Sequence, residues 1–152
     1  MSTDKNITIN SLRIYNTDTI QYDLYRNMHK NQDLQYVINK KKQYSILDNK
    51  IYSMKDALQL LNTFIDPSDP DLDEENLIHG YQTAERIRNI EPANKELQLI
   101  GLIHDVGNIL YSFGEPNWAV VGDTYVVGCK YPKSIVYYDT LPRNKDFNKY
   151  DD

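Results

Sequence analysis

A chain of 152 residues with 40% apolar and 26% charged side chains carries enough apolar surface for one buried core, which excludes a disordered or fibrous polypeptide. Its net charge of −5 repels both nucleic acid and anionic lipid, so neither is expected as a partner. No window approaches the roughly 20 apolar residues of a membrane span, MSTDKNITIN has no signal-like run, and Cys129 is the single cysteine; a reducing, cytoplasmic setting without an internal disulfide is expected, with Cys129 a simple thiol.

Residues 1–11 are polar and unpatterned and read as a loose arm ahead of one domain spanning 12–152. Ile20, Leu24, Met28, Leu34, Val37 and Ile38 recur mostly three or four apart, which predicts one amphipathic helix from Thr17 or Asp18 to about Tyr44, capped by one of those two residues. Lys40, Lys41 and Lys42 near its end suit the helix dipole, and His29, in MHKNQ, reads as structural. Ser53 and Asp56 form an S-x-x-D box that predicts the start of a second helix, with Ala57, Leu58, Leu60, Leu61 and Phe64 as its buried face. IDPSDPDLDEEN then stops it near Ile65; this acidic run lacks the central glycine and terminal glutamate of an EF-hand, so calcium is not expected.

Residues 73–89 read as a third helix, with acids at its start and Arg86 and Arg88 near its end. Pro92 opens a fourth, about 92–112, whose Leu97, Leu99, Ile100, Leu102, Ile103, Val106, Ile109 and Leu110 run nearly all the way round; such a helix is expected in the middle of the fold. After Gly114 the segments WAVVGDTYVVGC and SIVYY read as loop and short extended pieces with room for a hairpin. The fold class is therefore all-α with an irregular C-terminal end. Tyr111, Phe113 and Trp118 read as packing residues, and Gly122 and Gly128 as positions for positive φ.

GLIHDVGNIL sets an imidazole and a carboxylate, His104 and Asp105, side by side in that apolar helix. A buried ionised Asp105 costs several kcal/mol unless it is paired or bound to a metal. A local His–Asp hydrogen-bond network is one answer. The other enlists His79 on the preceding helix, where small Gly80 permits close approach: two imidazoles and a carboxylate form the 2-His-1-carboxylate set suited to non-haem iron. Adjacent helical residues project about 100° apart, so Asp105 could also reach a second metal.

FIDPSDPDLDEENLIHGYQTAERIR, LQLIGLIHDVGNIL and FGEPNWAVVGDTYVVGC, in this order, resemble the D-E-S-D-P-D, H-x-x-Q-T-A-E, G-L-x-H-D-L-G-K and F-G-E-P-Q-W-A-V-V-G-D-T-F-P-V-G-C blocks of the myo-inositol oxygenases; the resemblance runs from about Leu12 to around Asn144. It implies an HD-domain-like helical fold, a di-iron centre that activates dioxygen, and cleavage of the myo-inositol ring to D-glucuronate. Carried over by position, His79, His104 and Asp105 match iron ligands, with Asp105 the bridging carboxylate, and Arg13, Asp66, Ser68, Gly122 and Asp123 match positions that hold the polyol. Carboxylates accept from its hydroxyls, while a guanidinium and backbone N–H groups donate to its oxygens.

Two departures qualify the match. Asn108 stands where the family has the lysine of H-D-x-G-K, so no catalytic residue is assigned, and the family carries further chain with two more histidines and one more aspartate of the metal site. The resemblance thus implies a shortened, inactive-alone member holding one iron or none, with a second chain as the candidate supplier of the rest. An HD-type metal-dependent phosphohydrolase shares the H…HD core but expects a basic phosphate cluster that is absent here, and a non-catalytic remnant or subunit is the third reading.

Overall fold

In the computed structural model the described residues are 15–47, 50–68, 74–122 and 125–150; the expected arm, and with it Arg13 and Asp123, lies outside them. The first amphipathic stretch forms two helices rather than one, α1 (Ile20–Asn31) and α2 (Leu34–Tyr44). The cap of α1 is Thr19, not Thr17 or Asp18: its Oγ1 accepts the Tyr22 N–H at 3.2 Å. The helical period continues across the break, yet Asp33 Oδ1 accepts the Tyr36 N–H at 2.7 Å and starts a new helix. The C-terminal segment holds the break open. Asp146 Oδ2 accepts the Leu34 N–H at 2.8 Å, and the Asn144 amide donates to the carbonyls of His29 (2.7 Å) and Gln32 (2.9 Å). Backbone groups that a continuous helix would have used are satisfied by these side chains instead.

Ser53 caps α3 (Met54–Leu60) as its box predicts, accepting the Asp56 N–H at 3.1 Å. A 3-10 turn, Leu61–Thr63, then delivers Leu61 and Phe64 to the interior. The third predicted helix is α4 (Asn76–Ile90), beginning three residues late because Glu75 is its N-cap. The fourth is shorter at both ends. Pro92 lies in a turn, Asn94 caps α5 (Lys95–Ile103) by accepting the Leu97 N–H at 3.0 Å, and His104 and Asp105 lie in a turn before a 3-10 helix, Val106–Phe113, that ends at left-handed Gly114. Nor is α5 buried all round: it packs chiefly on α4, and Leu97, Leu99 and Ile100 are 38%, 53% and 57% exposed.

No strand or hairpin forms among the described residues of the C-terminal end, which instead contributes two 3-10 helices, Asn117–Ala119 and Tyr138–Arg143, so the fold is all-α. The core joins Leu24 and Met28 of α1 to Phe64, Val120 and Val121, flanked by Leu110, Trp118 and Tyr125. Trp118 packs on Tyr36, Phe113 stacks on Tyr52 and Tyr111 meets Phe64, with ring centroids 5.1, 6.1 and 5.1 Å apart. Gly128 has the expected positive φ of 84°, whereas Gly122 does not adopt one and sits exposed beside open space. No helix among the described residues is long and apolar enough to cross a membrane.

Candidate metal centre

His79 lies in the first turns of α4, and His104 and Asp105 leave the C-terminal end of α5. The two helices pack closely, with Gly80 and Gly101 as buried contact residues, and so bring the three side chains together. One ligand atom from each lies within 4.8 Å of the others. His104 Nε2 is 3.1 Å from Asp105 Oδ2, and His79 Nε2 is 3.8 Å from the same oxygen. The turn matters here. Asp105 sits at φ −99°, ψ 12°, the bridge region between helix and strand, so neighbouring side chains that a regular helix would splay apart converge on one point.

His104 Nδ1 is 2.8 Å from the Gly101 carbonyl oxygen, which can only accept, so Nδ1 carries the hydrogen of that bond. In the neutral ring this turns the Nε2 lone pair toward Asp105. Two acceptors at 3.1 Å repel unless a proton or a cation lies between them. A carbonyl that fixes the tautomer of an imidazole and frees its other nitrogen is the usual support of a metal-bound histidine. The donor set therefore fits a divalent transition metal such as iron. The side chains of His79, His104 and Asp105 are 29%, 35% and 30% exposed, so the sealed, oily surrounding expected for Asp105 is not found; the convergence of acceptors, rather than burial, is what calls for a cation.

Asp66 and Ser68 close a local turn in which Asp66 Oδ1 accepts the Ser68 N–H at 2.8 Å and its hydroxyl at 2.6 Å. That loop leaves from Phe64, whose carbonyl accepts the Asn76 N–H at 3.2 Å, so it is anchored one helical turn before His79. Asn108 is buried one turn after Asp105, its N–H bonded to the Asp105 carbonyl at 2.9 Å. Gly122 follows the core residues Val120 and Val121.

Two polar groups escaped the sequence reading. Asn76 is 2% exposed, and its Nδ2 has no hydrogen-bond partner among the described residues. Its spacing of three from His79 was the available signal. Glu115 is buried and accepts from Lys40 and the Tyr44 hydroxyl, both at 2.6 Å. Desolvation pushes its carboxyl up, but the Lys40 and Tyr44 bonds outweigh this and hold it below the usual range. Burial and the same carboxylate push the Tyr36 and Tyr44 phenols up to about 12. This cluster ties α2 to the GEPNW loop and leaves no free acid or base.

The family model described as Myo-inositol oxygenase matches residues 18–151. The inositol oxygenase of Danio rerio is 44% identical over 135 residues, covering 88% of this chain and 46% of that protein. That of Dictyostelium discoideum is 46% identical over 132 residues, covering 83% and 45%, and inositol oxygenase 1 of Arabidopsis thaliana is 45% identical over 129, covering 83% and 42%. The chain spans under half the length of these relatives.

Proposed function

Because the chain belongs to the myo-inositol oxygenase family, we propose that His79, His104 and Asp105 hold an iron ion beside which myo-inositol is cleaved by dioxygen to D-glucuronate. One carbon–carbon bond of the ring breaks, one oxygen atom enters the product and the other leaves as water, so dioxygen is reduced completely without an external reductant. When bound, iron supplies electrons and open coordination positions for dioxygen. The single observation that carries this reading is the tautomer lock on His104, which leaves Nε2 facing Asp105 Oδ2 at 3.1 Å with a cation wanted between them.

The chain's own residues bind and orient. Asp66 and Ser68, assigned to the polyol by the resemblance, offer a carboxylate and a hydroxyl on a turn whose loop is tied to the start of the helix that carries His79, and Gly122, assigned the same way, offers backbone without a side chain in the way. Arg13 and Asp123 join them on the strength of the resemblance alone. Asn108 replaces a lysine with an amide, which donates a hydrogen bond but brings no charge toward a developing alkoxide. Iron and a polar polyol both suit a reducing aqueous compartment, the cytoplasm.

The test is metal analysis of protein loaded anaerobically with ferrous iron, followed by exposure to myo-inositol and oxygen with glucuronate as the readout. Bound iron, lost in His104→Ala, is the expected result for this chain alone, and glucuronate is expected where a second chain supplies the rest of the family's metal site. Phosphate release from nucleotides with the same metal dependence would replace this reading with a phosphohydrolase, and a wild-type chain that holds no iron would overturn it.

A further inference from the structure

The two imidazoles of the site are not held alike. His104 Nδ1 is fixed by the Gly101 carbonyl at 2.8 Å, an oxygen open to it because Gly101 lies in the last turn of α5, where carbonyls have no helical N–H to accept. His79 stands in the first turns of α4, where the helix itself claims the carbonyls: the Glu75 oxygen already accepts the N–H groups of Ile78 at 2.9 Å and His79 at 3.3 Å. Among the described residues no hydrogen bond holds the His79 ring, and its Nε2 rests 3.8 Å from the Asp105 oxygen that His104 approaches to 3.1 Å. A histidine that binds a metal through one nitrogen almost always donates the N–H of the other to a protein acceptor or water.

A buried amide without a partner sits one turn away. Asn76, three residues before His79 on α4, is 2% exposed, and its Nδ2 is bare among the described residues. A buried polar atom left unpaired costs about 1–3 kcal/mol and calls for a reason. Residues three apart on a helix are neighbours, and helical side chains lean toward the N-terminal end, so the His79 ring lies over the turn that carries Asn76. Half a turn of the amide exchanges its oxygen and nitrogen and puts an acceptor where the bare donor stands. The part-exposed His79 joins an ion by turning its own side chain, which brings Nε2 to the His104–Asp105 pair and leaves Nδ1–H on the far side of the ring. We propose that Asn76 is a positioning residue for His79: its side-chain oxygen accepts the Nδ1–H of the metal-bound ring, as the Gly101 carbonyl does for His104. The bond fixes the tautomer and keeps Nε2 free to ligate. The inference rests on the metal-binding reading above.

Proton NMR of the chain loaded anaerobically with Co(II) reads this bond without turnover. The N–H proton of a cobalt-bound imidazole is shifted far outside the ordinary range, and in water it is seen only when a hydrogen bond slows its exchange. The wild-type chain is expected to show two such exchangeable signals, one from each histidine. Asn76→Ala is expected to keep one of them and to bind Co(II) about tenfold more weakly, as loss of ligand support does elsewhere. Asn76→Asp, which retains an acceptor oxygen at the same reach, is expected to restore both signals and the affinity; a merely structural asparagine predicts no recovery, because a buried carboxylate without a donor is worse than a bare amide. Circular dichroism before loading reports the folding of each variant. A single signal in the loaded wild-type chain overturns the proposal, and so do two signals with wild-type affinity in a folded Asn76→Ala chain. Should that variant not fold, Asn76→Asp decides, and loss of the second signal there overturns it equally. A wild-type chain that binds no Co(II) instead refutes the metal site itself.

Discussion

Three histidines in this chain show how one residue type takes its role from its surroundings. His79 and His104 are part-exposed and aim at a shared carboxylate oxygen, whereas His29 is 3% exposed, packed edge-on against Tyr25 and Tyr125, with Nδ1 2.6 Å from the Thr140 hydroxyl. Thr140 donates its own hydrogen to the Tyr137 carbonyl at 2.9 Å, so His29 Nδ1 is the donor to Thr140. Burial lowers its pKa from 6.5 to about 4, against the opposing pull of Asp139. The folded state then binds fewer protons than the unfolded one between these values. Stability from this group is complete above about pH 6.5 and drains away as pH falls toward 4, a loss of about 2–3 kcal/mol for a shift of this size. The urea midpoint should fall between pH 7 and 5, and His29→Gln should flatten that fall. A midpoint equally pH-dependent in the variant contradicts the assignment. The structural role of His29 was legible from its polar setting in MHKNQ; the depth of its burial was not, because Thr140 and Tyr125 lie far along the chain.

Elements were legible where their signals are local and missed where the signal is remote. The Ser53 box and the stop before the acidic loop are written in adjacent residues, and α3 obeys them. The break between α1 and α2 is invisible to periodicity, since its clamp, Asn144, sits more than a hundred residues away. The turn at His104–Asp105 is likewise hidden: neither of its residues is a proline or glycine, and the apolar run continues through it into a 3-10 helix. Here the same blindness concealed what brings the acceptors together, for a regular helix would have separated His104 from Asp105. The clamp has a measurable worth. Asn144→Ala removes the amide donor from the His29 and Gln32 carbonyls at 2.7 and 2.9 Å; the Tyr125 hydroxyl, 3.2 and 3.1 Å from the same two oxygens, has a single hydrogen to give, so one buried acceptor loses its partner at a cost of about 2–3 kcal/mol. Asp33→Ala, which removes a helix cap and a largely solvated ion pair with Lys145 at 2.9 Å, should cost about 1–1.5 kcal/mol. Chemical denaturation of the two variants tests the order, and equal losses would deny Asn144 its role.

At the scale of the molecule, the site and the core belong to different regions. The buried cluster is built from α1, Phe64 and the 120–121 segment, while the three candidate ligands stand on α4 and the end of α5, whose outer residues Leu99 and Ile100 are largely exposed. The regions communicate through the Phe64 carbonyl, which holds the first turn of α4, and through Leu110 of the 3-10 helix that follows Asp105. A pair of helices with few buried apolar contacts opens more readily than a core, and a ligand that bridges them stabilises the closed form in proportion to its occupancy. Metal binding should therefore show itself locally. At a concentration about 100 times the dissociation constant, an ion adds about 2.7 kcal/mol to any opening that releases it. Amide hydrogen exchange in α4 and α5 should slow by about a hundredfold on saturation with Co(II), since 1.4 kcal/mol corresponds to about a factor of ten, while exchange in α1 changes little. His79→Ala should abolish the protection in α4 and leave α1 as it was. Protection spread evenly over α1, α4 and α5 would mean that the ion holds the whole fold together, and that the glycine-packed helix pair is not the unit it closes.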